Sequence, residues 1–365
     1  STVPRFIYIS TRFVSTPTLL ARSDWLMRYG RCSTMEGFPQ SVSIMPLKQP
    51  TIHVVRPGLF TTIQDLGRFG YQRFGVSVSG AMDPWALTVG NRLLGNPDRA
   101  AGLEVTIQGP ELLFEDALSI VITGADLSPT SNGVALPMWT VVRMPAGSRL
   151  EFGIRRQGTR AYLTVAGGID GPLMLGSRST HVRSGLGGVA GRALRKWDRL
   201  DVGPAGAAGK PCVGRALPEA QRPRYQSTAT IRVIPGPQAD RFTDDALERL
   251  ASQPYRLASE SDRMGYRLQG LALPHRTSAD IVSDAVSAGN IQVPADRQPI
   301  LLMADCQTTG GYAKLATMIA ADRALAAQLS PGDRLSFVVV THETASTLLR
   351  SAHAELDRLL PPHRA

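Results

Sequence analysis

The sequence predicts a mainly β fold with accessory helices, arranged as two related β-domains in tandem. Three observations carry this. Glycine (35) and proline (26) are plentiful among the 365 residues, which favours turns and short strands over long helices. Short apolar runs separated by turn signals recur at the spacing of a β-sandwich or barrel. Three landmarks also repeat in the same order. His53-Val-Val-Arg-Pro-Gly58 is echoed by Arg232-Val-Ile-Pro-Gly236, Asp65-Leu-Gly-Arg-Phe-Gly-Tyr71 by Asp262-Arg-Met-Gly-Tyr266, and Pro145-Ala-Gly-Ser-Arg-Leu-Glu-Phe152 by Pro331-Gly-Asp-Arg-Leu-Ser-Phe337. Strand-turn signals recur in any β protein, but an ordered triple points to duplication.

Residues 1–50 stand apart: rich in Ser, Thr and Arg, poor in acids, without a clean period. They read as a transit peptide, a disordered extension, or a translated leader with Met45 as the real start. The first β-domain then spans 51–205. A strand runs from Ile52 towards the Pro57-Gly58 turn, and a glycine-punctuated loop covers Thr61 to Gly80. Pro84–Leu94 is a helix, with Asp83 as N-cap, Pro84 at its first position and Gly95-Asn96-Pro97 ending it. Strands follow at Gly102–Gln108, Leu118–Thr123, Thr140–Met144, Ser148–Gly153 and Arg160–Val165. Residues 206–229 form a linker, because the segment from Gly203 to Pro211 is small and polar and the stretch after it lacks period. The second β-domain spans 230–345. It opens with the strand Thr230–Ile234, has helical patches at 240–251 and Ala313–Leu329, and closes with the strand Leu335–Val340. An amphipathic helix, Glu343–Leu360, fills most of a C-terminal segment over 346–365.

Composition excludes several classes. Hydrophobic residues at 43% and charged residues at 19% are a globular balance, so wholesale disorder is out. No run approaches the roughly eighteen apolar residues of a membrane span. The net charge of +10 is partly local: of 40 basic and 30 acidic residues, positions 1–50 hold six and two. Elsewhere the basic residues are dispersed without aromatic interleaving, so no nucleic-acid partner is expected. Cys32, Cys212 and Cys306 are far apart, which gives neither a disulfide framework nor a zinc site. A reducing cytoplasm is the expected compartment. Gly206-Ala-Ala-Gly-Lys210 lacks the spacing of a P-loop, and neither Gly-x-Ser-x-Gly nor His-Glu-x-x-His occurs. No metal site is expected.

Glycines set beside polar groups remain as the chemical signal. Gln64, Asp65 and Arg68 share the first such loop. Ser79 lies in Ser77-Val-Ser-Gly-Ala-Met-Asp83, which leads into a helix N-terminus able to hold an oxyanion or simply to be capped by Asp83. Gly167-Gly-Ile-Asp170, Leu175-Gly-Ser-Arg-Ser-Thr180 and Leu186-Gly-Gly188 allow close backbone approach. Asp262, Arg263 and Arg267 occupy Ser261-Asp-Arg-Met-Gly-Tyr-Arg267, and Gln292 occupies Gly289-Asn-Ile-Gln-Val-Pro294. The densest run is Asp305-Cys-Gln-Thr-Thr-Gly-Gly-Tyr-Ala-Lys314. It packs Asp305, Gln307, Thr308, Thr309, Gly310, Gly311 and Tyr312 into one segment, which a core role explains poorly.

These residues also carry a resemblance. Pro57-Gly, Gln64-Asp-Leu-Gly-Arg, Ser79-Gly-Ala-Met-Asp83, Asn91-Arg-Leu-Leu-Gly-Asn96, Leu103-Glu104 and Gly109-Pro110 resemble the opening of the KipA-like family. Ala166-Gly-Gly168, Gly176-Ser-Arg-Ser-Thr180, Ser261-Asp-Arg-Met-Gly-Tyr-Arg-Leu268, Ile291-Gln-Val-Pro294, Gln307-Thr-Thr-Gly-Gly-Tyr312 and Ala327-Gln-Leu-Ser-Pro-Gly-Asp333 continue it through about residue 340. That family includes the C subunit of 5-oxoprolinase and is similar to the second subunit of allophanate hydrolase and the carboxyltransferase region of urea carboxylase. The resemblance implies two cyclophilin-like β-barrel domains. It also implies a KipI-like partner (the B subunit of 5-oxoprolinase), with an A subunit taking part in ring opening. The chain departs from the pattern at four places. Cys306 stands for a usual Arg, Arg297 for a usual Gly, Asn290 for a usual Ala, and Lys196-Trp197-Asp198 for a Gly-Asp turn.

The function expected first is the C subunit of an ATP-dependent 5-oxoprolinase, an amide or lactam hydrolase active only with its partner. Phosphorylation of an inert lactam oxygen makes a leaving group. Gln64, Gln292 and Gln307 suit amide edges, Arg68, Arg263 and Arg267 suit anions, and Asp65, Asp262 or Asp305 suit a proton or Mg2+ of ATP. The alternatives are a biotin-dependent carboxyltransferase acting on a urea-type amide, and a non-enzymatic KipA-type regulator.

Overall fold

The computed structural model describes residues 49–204 and 211–362. The leader, extension and transit-peptide readings fall on residues 1–48, outside the described residues. The mainly β architecture with a few helices is the one observed.

The first half is two facing antiparallel sheets. One runs, in spatial order, Arg199–Asp201, Thr51–Arg56, Glu111–Phe114, Arg149–Phe152, Pro129–Ser131 and Val134–Ala135. The other runs Phe60–Gln64, Gly102–Thr106, Gln157–Val165, Leu118–Asp126 and Val142–Met144. Alternation along each strand sends every second residue between the sheets. Ile52, Val54, Leu112 and Phe114 thereby meet Leu103, Val105, Ile120 and Leu163 in one buried core. The same period sets Glu104 and Tyr162 on the opposite face, where they are register partners.

The helix Pro84–Leu94 covers that outer face. Asp83 caps it by accepting from Ala86 N at 2.9 Å, and Gly95 ends it at φ 76°. Gly90 lets helix and sheet approach closely, since a Cβ there would sit 2.6 Å from Thr164 Oγ1.

The second half is a closed seven-stranded barrel: Thr228–Pro235, Lys314–Met318, Asn290–Gln292, Ile300–Leu302, Gly265–Gln269, Tyr255–Leu257 and Arg334–Val339. The last strand closes onto the first in parallel, with Ile231 opposite Phe337. Ile231, Val233, Leu268, Leu301, Leu315 and Phe337 fill its core. A two-stranded flap, Asp280–Ala285 with Thr309–Tyr312, projects from it. The helix His342–Leu359 begins at Thr341, whose hydroxyl accepts from Thr344 N, and returns to the first half. There Arg92 donates to Asp357 Oδ1 at 2.6 Å and to the Leu360 carbonyl at 2.9 Å. Among the described residues, no helix is long and apolar enough to cross a membrane.

Several elements differ from the sequence reading. Thr61–Gln64 belongs to a strand, paired with Gly102–Val105. Lys314–Met318 is also a strand, because pairing on both sides overrides its local helical pattern. Helix within 240–251 is confined to Ala246–Ser252, after a short 3-10 turn. Residues 211–227 lie along the first half, with Leu217 and Tyr225 buried and Ala216 bridged to Thr140.

Arg297 (φ 62°), where the resemblance implies a glycine, and Trp197 (φ 75°), in the segment that stands for a Gly-Asp turn, adopt left-handed backbone. A side chain there costs about 1–2 kcal/mol. Arg297→Gly is therefore expected to raise stability by about 0.5–1 kcal/mol after the looser unfolded chain offsets part of the relief. A urea midpoint at or below that of the parent would contradict this.

Candidate functional site

The two halves meet through charges on the outer face of the first. Arg263, buried, donates from Nε and Nη2 to the two oxygens of Asp305 at 2.8 and 2.9 Å, and from Nη2 to the Gly80 carbonyl at 2.7 Å. Its Nη1 donates to Glu104. Tyr162 OH and Met82 N donate to the other Glu104 oxygen at 2.7 and 2.8 Å. Ser79 Oγ donates to Asp305 Oδ1 at 2.7 Å. Burial alone would lower the Arg263 pKa, but Asp305 and Glu104 outweigh it and hold the group above its ordinary value. Burial likewise pushes Asp305 upward, and Arg263 overcomes it to hold the carboxyl below the usual range.

Asp65 lies in an adjoining nest of loops. Its Oδ1 accepts from Ser177 Oγ, Ser179 Oγ and Gly67 N, and its Oδ2 from Arg178 N at 2.6 Å. Gln64 donates to Thr62 Oγ1 and the Thr180 carbonyl, both at 3.0 Å. Arg68 is fully buried and donates from Nη2 to the Ser179 carbonyl. Its Nε and Nη1 have no hydrogen-bond partner. Burial lowers the Arg68 pKa, against the pull of Asp65 and Asp305.

A cleft of about 420 Å³ opens beside this network. It brings together seven of the residues singled out in the sequence: Asp262, Arg267, Gln292, Gln307, Gly310, Gly311 and Tyr312. Ile300 and Leu302 add apolar surface, and Arg183, Glu260 and Met264 complete the wall. Gln292, from a barrel strand, donates to the Tyr312 carbonyl at 3.3 Å. Only glycine at 310 leaves room for that amide, since a Cβ would lie 2.6 Å from Gln292 Nε2. The flap carries Gly310–Tyr312 and is tied down by the buried Lys314. Lys314 Nζ donates to Asp284 Oδ2 at 2.6 Å and to the Ala285 carbonyl at 2.8 Å. Asp262 serves its own turn by accepting from Met264 N at 2.8 Å.

The remaining expected residues lie outside the cleft. Gln64, Asp65, Arg68, Ser79, Arg263 and Asp305 are in the buried network and the nest behind it. Thr308 faces a smaller neighbouring cavity, and Thr309 is exposed on the flap. Sequence reasoning passed over Arg183 and Glu260 as site residues. Glu104 appeared only inside a motif, and its role follows once Leu103 and Val105 are known to point inward. Among the described residues, no three His, Cys, Asp or Glu side chains converge as metal ligands would.

Asp83 adds a pH dependence. Besides capping the helix, its Oδ2 accepts from Gln328 Nε2 at 2.9 Å and from Tyr225 OH at 3.3 Å. Gln328 cannot turn its amide, because Oε1 accepts from Thr159 N and Arg160 N. Burial pushes Asp83 from its ordinary 3.8 up to about 6, and Glu104 adds to the shift. Between these values the folded chain binds a proton that the unfolded chain does not. This contribution to stability is full below pH 3.8, falls as pH rises, and is lost above about 6, a span worth roughly 3 kcal/mol. Asp83→Asn keeps a good N-cap and should flatten the fall. Urea midpoints measured across that pH window would check it, and identical profiles for parent and variant would contradict it.

Residues 74–339 match the family described as carboxyltransferase domain, subdomain A and B. The chain is 39% identical to the C subunit of the Escherichia coli (strain K12) 5-oxoprolinase, over 80% of this chain and 93% of that protein. It is 36% identical to the C subunit of the Haemophilus influenzae 5-oxoprolinase, over 82% and 94%. Among solved structures, the urea amidolyase of K. lactis superposes with a TM-score of 0.81 at 29% identity. That match covers 87% of this chain but only 20% of the urea amidolyase.

Proposed function

Because the chain belongs to the carboxyltransferase subdomain A and B family, we propose that it is the C subunit of an ATP-dependent 5-oxoprolinase, holding the lactam of 5-oxoproline for ring opening to glutamate. One observation carries the reading. Gln292 and Gln307 line one cleft together with the apolar Ile300 and Leu302 and the guanidinium of Arg267. Gln307 makes no side-chain hydrogen bond within the described protein, and Gln292 spends only its Nε2.

A planar lactam needs a donor to its carbonyl and an acceptor for its ring N–H, which the two amides supply. Ile300 and Leu302 suit the ring methylenes, and the Arg267 guanidinium suits the carboxylate. An amide carbonyl resists water until its oxygen is activated. Hydrogen bonds aimed at that oxygen stabilise the charge that develops as water adds. The chain's part is thus binding, orientation and charge stabilisation. In this reading Asp305 and Arg263 hold the two halves together, Asp65 ties the loops of the first half, and none of them moves a proton.

The described residues do not fit a magnesium triphosphate. The helix that Ser77–Asp83 leads into is closed by Asp83 itself, and the cleft wall sets two carboxylates beside two guanidinium groups. We assign nucleotide binding to the KipI-like partner, with the A subunit of a 5-oxoprolinase completing the complex. The free thiols of Cys212 and Cys306 suit the reducing cytoplasm.

The urea amidolyase match favours a second reading, carboxyl transfer from a biotin carried by a partner. A ureido ring presents the same amide edges as a lactam. One experiment separates the readings: co-purify the chain with the KipI-like and A-type proteins and follow ATP-dependent loss of 5-oxoproline. The lone chain is expected to show no turnover and the complex to form glutamate. Full turnover by the lone chain would overturn its assignment as one part of a complex, and biotin-dependent carboxylation of urea in its place would favour the second reading.

A further inference from the structure

Gln307 also borders a second, smaller cavity, of about 140 Å³. Ser77, Val78 and Ser79 line it from the first half, and Cys306, Thr308, Ser287 and Arg323 from the second. Arg323 is the unusual member. Its guanidinium makes no hydrogen bond or ion pair with any described residue, and the side chain is half-buried at the junction of the two halves. Guanidinium stays charged at every ordinary pH, so a half-buried one without a protein counter-charge keeps all its donors for an anion. Burial lowers its pKa, with Cys306, Tyr162 and Asp83 raising it only in part.

The rest of the lining does not supply the missing charge. Cys306 is buried and its thiol is pushed up to about 11, so it is neutral at ordinary pH. Asp305, the carboxylate next to it in sequence, is spent on Arg263 and Ser79. What faces the cavity instead are donors: the Thr308 hydroxyl, which makes no hydrogen bond in the described protein, the Ser287 hydroxyl, whose one contact, to Asn290 Oδ1, is long at 3.5 Å, and the free Gln307 amide. The volume exceeds the roughly 30 Å³ share of one water and is too small for a nucleotide.

We propose that this cavity is a binding site for a single small oxyanion, a phosphate or carboxylate group, held by Arg323 with Thr308, Ser287 and Gln307. The site stands on its own lining and does not require the neighbouring cleft to take a lactam. If the cleft does take one, Gln307 is shared by the two ligands, and oxyanion and lactam are sensed by the same side chain.

The test is calorimetric titration of the purified full chain with inorganic phosphate, acetate and chloride at matched ionic strength, beside thermal melting. Phosphate or acetate is expected to bind saturably with one equivalent and to raise the melting temperature, while chloride does neither. Binding of phosphate alone identifies a phosphoryl oxyanion, and binding of acetate as well identifies a carboxylate. Arg323→Gln should weaken that binding about tenfold or more, as loss of a charge-assisted contact does. Thr308→Val, which leaves the charge untouched, should weaken it severalfold and serves if Arg323→Gln does not fold. No saturable binding, or binding indifferent to these substitutions, would overturn the proposal.

Discussion

Arg263→Met should lower the stability of the chain by about 3–5 kcal/mol, the range measured when one partner of a buried ion pair is removed. The size follows from what is left behind. Asp305 and Glu104, both buried, lose their shared counter-ion, and the Gly80 carbonyl loses its donor. Two carboxylates then face each other across the junction of the halves. Arg263→Lys should recover part of the loss, since it restores charge but not the fork that spans both acids. The urea midpoint with an unchanged slope measures it. A loss below about 1 kcal/mol, typical of exposed pairs, would mean that the halves are held by their other contacts and not by this ion network.

Gln307→Ala makes the opposite separation. In the assembled complex it should lower kcat/KM by roughly 30- to 1000-fold, equivalent to about 2–4 kcal/mol of transition-state stabilisation. The melting temperature should stay put, because this half-buried amide bonds to no other described residue. A variant with intact kinetics would remove the loop from the site. One with matched losses of stability and activity would make Gln307 a packing residue.

How far the sequence could be read varied with how local the cause was. The helix Pro84–Leu94 was legible to the residue because its cap, first-turn proline and terminal glycine are contiguous. Lys314–Met318 was not, because its strand character comes from partners at Asn290–Gln292 and Val233–Pro235, and a barrel pairing leaves no mark in the segment itself. The cleft residues were legible as a class: glycines beside amides and hydroxyls have little use in a core, and seven of them do meet. Their separation from Asp65, Ser79, Arg263 and Asp305 was not. The same polar, glycine-flanked pattern serves a buried ion network as well as a ligand site. Only alternation on the strand Gly102–Thr106 turns Glu104 toward an arginine 159 positions away. Arg323 carried no signal at all within an apparently helical stretch, although the absence of an arginine at Cys306 marked the region where the structure places it.

In the proposed function the Gln292–Gln307 cleft holds a lactam within an ATP-dependent complex. Glutamate formed from 5-oxoproline, measured side by side for complexes carrying the parent chain and Gln307→Ala, tests it most directly. ATP-dependent glutamate production by the parent complex, cut by the predicted factor in the variant at equal melting temperature, is the expected result. Equal production by the two complexes, or none by either alongside biotin-dependent carboxylation of urea, would contradict it.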